Sequence, residues 1–304
     1  MKVLIVNHDK VACGTYQFAK RIYSIVSKSK DITYLYKDCA NREDYLSTLS
    51  EIKPDYIVYN YHKDRTPWLL EIDVAENISV KHYFLFHDGS VVNRYDKYLF
   101  FGEFPNYPTP INKDRSILLP RPLLDYEGIY PINKVPTIGS FGFATDHKRF
   151  PELVGYVSTT FRRAVINLHM TSPYFGVTNG YNLPDIVNKC EKSRNNINVK
   201  LNISTNFMDD NQLLEFLAGN DINVFNYAYM KNPGISSAID YALSVKRPIA
   251  ITKNNLFRHI ASDDILLEKN SVQDIINKGL TPIEKFYDIW STKNFLRRFD
   301  LMFL

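Results

Sequence analysis

The sequence predicts an α/β chain of two domains, each built on a mainly parallel sheet. Three observations carry this. At 304 residues the chain has room for about two domains of ~150 residues each. Short apolar runs alternate with stretches whose apolar residues recur at helical spacing, the pattern of buried parallel strands joined by helices. This alternation runs twice, and a proline-dense stretch interrupts it.

In the first half, residues 3–6 are a β-branched apolar run that reads as a strand, followed by a glycine-bearing turn, Ala12-Cys13-Gly14-Thr15. Phe18, Ile22, Ile25 and Val26 then recur at helical spacing. Residues 32–36 read as a strand and 45–52 as a helix; Lys53-Pro54-Asp55 introduces a strand over 56–59, and 83–86 is a fourth. Seven of the 15 prolines (Pro105, Pro108, Pro110, Pro120, Pro122, Pro131 and Pro136) then fall between residues 105 and 136. Such density stops helices and weakens central strands, so the inter-domain connection is expected there. The alternative, a long loop inside one domain, meets the rule that structureless loops of that length are uncommon in compact domains.

After Pro136 the alternation restarts. Strands are expected over 137–141, 164–169, 199–203, 222–225 and 248–251, with helices over 150–161, 183–192, 209–218 and 235–244. Two Rossmann-like halves of similar size follow, with boundaries at 1–125 and 126–282.

Composition removes several function classes. Hydrophobic residues at 45% and aromatics at 14%, with 21 Tyr and 19 Phe, exclude a disordered chain. Lys and Arg total 37 against 33 Asp and Glu, a formal +4 that is too mild for a dedicated nucleic-acid binder. Local clustering still permits an anionic ligand or a membrane surface. Cys13, Cys39 and Cys190 are odd in number and lack a Cys-x-x-Cys pair, which argues against a disulfide framework or a Cys-rich zinc site. No apolar run approaches the ~20 residues of a membrane span. Residues 1–7 are too short for a signal peptide, so the expectation is a cytoplasmic chain beginning as a strand.

Parallel sheets bind ligands at the carboxyl ends of their strands, where helix N-termini present free N–H groups. In the second half this rule selects the loop Gly142-Phe143-Ala144-Thr145-Asp146-His147-Lys148-Arg149, with a glycine and adjacent cations. It also selects Lys231-Asn232-Pro233-Gly234-Ile235-Ser236-Ser237, with a glycine and two hydroxyls where a helix begins. Dipole, backbone amides and lysine charge together suit a diphosphate. Gly-x-Gly-x-x-Gly and Walker loops are absent, as is a Gly-x-Ser-x-Gly elbow. His82 and His87 sit at opposite ends of one expected strand, so no zinc site is expected.

The order Gly139-Ser140-Phe141-Gly142-Phe143, Lys148, Gly234 through Leu243 and Arg247-Pro248-Ile249-Ala250 resembles the donor domain of GT-B glycosyltransferases, most closely the retaining family 4 (glycosyl transferases group 1). The resemblance implies two Rossmann-like domains facing a cleft, an acceptor domain first and a nucleotide-sugar domain second. In that family a Glu-x7-Glu segment follows the second glycine loop. Here its first Glu falls on Asn232, and its second, the ribose ligand, on Asp240, a shorter acceptor for two hydroxyls. The family's loop Arg falls on Phe143 and its Lys on Lys148, with Arg149 as the cation able to compensate. Donor contacts are thus expected from Gly142, Phe143, Lys148, Arg149, Asn232, Gly234, Ile235, Ser236, Ser237 and Asp240.

In the first half, Cys13-Gly14-Thr15-Tyr16-Gln17-Phe18 resembles the family's glycine loop, and Phe86-His87-Asp88-Gly89 its histidine facing the reacting sugar. His87, Asp88 and the amide of Gly14 are the expected catalytic groups, with Thr15, Tyr16, Asn60 and His62 on the acceptor side. Asp-x-Asp is absent, so metal-independent transfer is expected, with retention implied by the resemblance. No resident cofactor is expected; a UDP-, GDP- or ADP-sugar is the co-substrate, and the acceptor is a glycan, a lipid-linked glycan or a modified DNA base. The alternatives are a catalytically impaired relative that binds a glycan or nucleotide, and an enzyme glycosylating modified DNA bases. Tyr287, Ile289, Trp290, Phe295, Leu296, Phe299, Leu301 and Phe303 make the tail too apolar for a solvated end, and Arg297-Arg298 add a cationic face. One helix over 283–304 is expected to return to the first domain, with peripheral membrane contact as the alternative.

Overall fold

The computed structural model describes residues 1–11, 13–62, 64–71, 79–87, 96–102, 113–172, 182–231 and 234–304. The chain divides into two compact units. Unit 1 comprises Met1–Leu124 with Ile289–Leu304, and unit 2 comprises Asp125–Asp288. Both are Rossmann-like.

Unit 1 holds six parallel strands: β1 (Lys2–Asn7), β2 (Thr33–Asp38), β3 (Tyr56–Tyr59), β4 (Lys81–Leu85), β5 (Lys97–Phe101) and β6 (Ser116–Leu119), in the order β2-β1-β3-β4-β5-β6. Helices α1 (Gly14–Val26), α2 (Arg42–Ile52) and α3 (Trp68–Glu71) join the early strands. Side chains alternate strictly between the two faces of the sheet. Val3, Ile5, Val58, Leu85 and Leu99 pack with Phe18, Ile22 and Ile25 of α1 on one face. Leu4, Val6, Ile57, Phe84 and Phe100 pack with Tyr45 of α2 and Trp68 of α3 on the other. Strands covered on both faces must be apolar throughout, as β1 is from Val3 to Val6.

Unit 2 runs β7 (Thr137–Phe143), α4 (Phe150–Thr160), β8 (Ala164–Thr171), α5 (Leu183–Ser193), β9 (Val199–Ser204), α6 (Asp210–Ala218), β10 (Ile222–Phe225), α7 (Ala238–Ser244), β11 (Ile249–Ile251) and α8 (Val272–Lys278). Its parallel sheet has the order β11-β10-β7-β8-β9. A ladder of carboxamides crosses it: Asn202 donates to Asn167 (2.8 Å), Asn167 to Asn220 (2.9 Å), and Asn220 to Asn223 (3.0 Å). Gly139 of β7 leaves the space for this ladder, because a Cβ there would collide with the Asn220 carboxamide.

Several elements differ from the sequence expectation. β5 and β6 were not foreseen, and β6 lies inside the stretch read as the inter-domain connection. Its position at the sheet edge explains this: Pro120 and Pro122 follow the strand, and an edge strand is paired on one side only. Pro105, Pro108 and Pro110 lie outside the described residues. The helix expected from residue 235 starts at Ala238. In place of one tail helix there are two, α9 (Lys285–Ile289) and α10 (Thr292–Asp300), because the Ser291 hydroxyl caps α10 by accepting from Asn294 N–H (3.3 Å). Phe295, Phe299 and Phe303 enter the core of unit 1 beside Tyr34 and Tyr83. Asp300 accepts hydrogen bonds from Tyr34 and Ser29, both 2.8 Å. Among the described residues no helix is long and apolar enough to cross a membrane.

Candidate functional site

Each unit places polar side chains at the carboxyl ends of its strands. In unit 1, β1 ends at Asn7 and His8, β3 delivers Asn60, and His87 follows β4. The Asn60 amide nitrogen donates to Asn7 Oδ1 (2.6 Å) and to the Thr15 carbonyl (2.9 Å). Its Oδ1 therefore faces His87 Nε2, which must carry the proton of that hydrogen bond. Nδ1 of His87 is left as an acceptor, and the ring meets Phe18 edge-on at 5.3 Å. Burial, with smaller contributions from His62, Arg121 and His8, lowers His87 to about 3. The imidazole is neutral at pH 7.

His8 is fully buried. Its Nδ1 accepts from the Lys10 amide (3.1 Å), so Nε2–H donates to Thr15 Oγ1 (3.1 Å), which lies 3.0 Å from Cys13 Sγ. Burial first, then His62 and Arg65, lower His8 to about 4. Thr15 and Gly14 open α1, whose Cys13 N-cap makes no side-chain cap and whose first turn carries no acid. Tyr16 is buried and donates to Asp38 (2.9 Å). His62 Nδ1 accepts from the Asp64 amide (3.3 Å). The structure thus brings Gly14, Thr15, Asn60 and His87 together, with His62 close enough to act on His8 and His87. Asp88 lies outside the described residues. Asn7 and His8 belong to the cluster and were not singled out from sequence, although their place just after an apolar run was a usable signal.

In unit 2, Gly142 near the end of β7 has φ +147°, a conformation that L side chains rarely adopt. An added Cβ there would meet Lys148 Cε at 3.3 Å. The Lys148 ammonium lies 3.6 Å from the centroid of the Tyr227 ring, and among the described residues no carboxylate pairs with it. Burial lowers Lys148 from the usual lysine range to about 7. Arg149 adopts the left-handed conformation that starts α4, and its guanidinium meets Glu152 at 3.5 Å. Phe143 is half-buried beside Gly142.

The second loop of unit 2 is held from behind. Arg258 donates to the Gly234 carbonyl (3.0 Å), and the Ser236 amide donates to the Leu256 carbonyl (3.0 Å), so that amide is already used. Ile235 and Ser237 are half-buried, and Asp240 has no exposed surface. Asn232 lies outside the described residues.

Two parallel Rossmann-like units with such strand ends define the GT-B architecture, and solved structures agree. Anabaena HepE in complex with UDP-glucose superposes with a TM-score of 0.68 at 11% identity, over 100% of this chain and 99% of that one. The lipopolysaccharide outer core galactosyltransferase WaaB gives 0.60 at 12% identity, covering 99% and 100%. The trehalose-6-phosphate synthase OtsA gives 0.59 at 12%, covering 100% and 98%. No protein-family model matches the chain, and no curated protein matches it in sequence.

Proposed function

We propose that this chain is a glycosyltransferase that moves a sugar from a nucleoside-diphosphate sugar to an acceptor hydroxyl, with retention of configuration and without a metal ion. The observation that carries the proposal is Lys148, a half-buried lysine beside the bare backbone of Gly142 with an aromatic ring, not a carboxylate, against its ammonium among the described residues. Its fold-mate HepE is described in complex with UDP-glucose.

As the glycosidic bond to the donor breaks, negative charge grows on the diphosphate while the sugar becomes oxocarbenium-like, so the site must offer positive charge and oriented donors. Lys148 supplies that charge. Asp240 holds the ribose hydroxyls in this reading, and its burial requires the neighbouring chain to open for the nucleoside. His87 is neutral and bound through Nε2, so its Nδ1 accepts a hydrogen bond from a sugar hydroxyl and orients the ring. In this reading His87 is a positioning contact to substrate through Nδ1, while its Nε2–H is held by Asn60.

A second reading, a nucleotide-binding relative of low activity, is favoured by one observation: Phe143 stands where an arginine would clamp the phosphates bidentately, which Lys148 cannot do geometrically. Thermal shift with UDP-, GDP- and ADP-sugars tests binding, since a ligand stabilises by RT ln(1 + [L]/Kd). Release of free nucleoside diphosphate in the presence of EDTA then tests turnover. Binding without release selects the second reading, and no shift with any nucleotide ends both. Activity removed by EDTA and restored by Mn²⁺ would reject metal independence.

A further inference from the structure

Tyr227 carries no motif and follows β10 by two residues, yet it is the group on which Lys148 rests. Its ring meets Phe257 (4.8 Å between centroids), Phe225 (5.9 Å) and His147 (6.0 Å, at 89°), and the ammonium lies 3.6 Å from its centroid. The main chain fixes this arrangement. Thr252 Oγ1 donates to the Tyr227 carbonyl (2.7 Å), and the Ala228 amide donates to the His147 carbonyl (2.8 Å). Ring and lysine therefore belong to two segments tied together one residue away from each.

The choice of an aromatic partner has a chemical meaning. A carboxylate would hold the ammonium equally well but would cancel its charge. An aromatic face attracts a cation through its quadrupole and leaves the net charge intact for an anion on the other side. Gly142 also borders the ammonium: even an added Cβ there would stand 3.6 Å from Nζ. We infer that Tyr227 is a positioning residue for the donor, its ring anchoring the Lys148 ammonium while that ammonium binds the diphosphate. This rests on the reading of Lys148 as the diphosphate ligand.

Burial alone lowers Lys148 to about 7, so the cationic form needs what stabilisation its surroundings give it. Among the described residues the charged and titratable groups beside it in sequence are His147, Asp146 and the cation Arg149. His147 is itself lowered to about 4 by burial and is neutral at pH 7, and Asp146 is exposed and turned to Lys189 at 3.5 Å. Among the described residues the ring is the remaining partner.

The experiment replaces Tyr227 in the full chain by Phe and by 4-fluoro-, 3,5-difluoro- and 3,4,5-trifluorophenylalanine, which keep ring volume while draining electron density. Calorimetric titration with UDP and with inorganic diphosphate is run from pH 6 to 9, and thermal melts without ligand verify folding. Tyr227→Phe is expected to stay within about threefold of the wild type. Affinity should then fall stepwise, by about tenfold across the fluorinated series at pH 7.5. The pH at which affinity begins to decline should move down in the same order, because each fluorine removes stabilisation from the ammonium. Equal affinities and superimposable pH profiles across the four rings would overturn the inference while leaving the donor reading in place. Failure of the wild type to bind either UDP or inorganic diphosphate would overturn both.

Discussion

Asn60 turns its side-chain oxygen to His87 because its amide nitrogen is already committed to Asn7 and to the Thr15 carbonyl. The proton on His87 Nε2 is thereby set by a chain of amides, not by the ring itself. A second proton would charge the ring, and desolvation of that charge is the largest cause of the lowering of this histidine.

The first prediction follows from that lowering. His87 and His8 bind protons at about 3 and about 4 when folded, against 6.5 for an ordinary histidine. Between these values the unfolded chain holds more protons, so stability rises with pH there. It is fully present above pH 6.5 and is lost as pH falls toward 3, at about 1.4 kcal/mol per unit of lowering. Urea midpoints at pH 7, 5.5 and 4.5 should decline, and His87→Gln should decline less. Identical slopes for variant and wild type would contradict the assignment.

Catalysis gives the second prediction. His87→Ala should cut kcat far more than donor affinity, because the contact to the sugar hydroxyl matters most in the transition state. Full turnover by His87→Ala would move the chemistry to other residues.

Lys148 supports the third. Lys148→Ala should weaken UDP binding by about 1.5–3 kcal/mol, the range for a charged hydrogen bond. Wild-type affinity should be level below pH 7 and fall above it as the ammonium loses its proton, and Lys148→Arg should abolish that fall. Calorimetry across pH decides, and an unchanged affinity in Lys148→Ala would remove the lysine from the donor site.

The fourth concerns Gly139. Gly139→Ala should destabilise by about 1–3 kcal/mol, the cost of overpacking, since the new Cβ meets the Asn220 carboxamide. Asn220→Ala should cost stability in the wild type but much less in the Gly139→Ala background, a coupling that a double-mutant cycle measures. Strict additivity would show that the two residues do not compete for one space.

The tail yields the fifth. Phe299 has no exposed surface and lies between Phe295 and Phe303. Phe299→Ala should cost about 3–5 kcal/mol, and removal of residues 290–304 should lower the melting temperature without any lipid present. An unchanged melting temperature would mean that the segment does not belong to the core.

Much of the fold was legible because strands buried on both faces cannot hide their composition. Val3–Val6 and Ile222–Phe225 announce themselves, and the helix packed on the first is marked by Phe18, Ile22 and Ile25. β6 was not, because Pro120 and Pro122 beside it obey an edge rule that depends on knowing the sheet order. The split of the tail hinged on one serine cap that a continuous apolar pattern conceals. Lys148 and His87 were selected by the strand-end rule. Tyr227 was not, since its meaning lies in a ring face presented to a turn about 80 positions earlier in the sequence, and no spacing encodes that.

The bond from Tyr34 to Asp300 spans 266 positions, and it orders events during synthesis. Unit 2 is contiguous and has all its strands once residue 251 has been made. Unit 1 lacks Phe295, Phe299 and Phe303 until the ribosome has passed them, although all its strands precede unit 2 in the chain. Domains usually mature in the order in which they are translated; here the part begun first is completed last. A nascent chain that has released residues up to 288, but not the tail, would carry a finished second unit and a first unit with its aromatic face still wet, the species that a chaperone would hold.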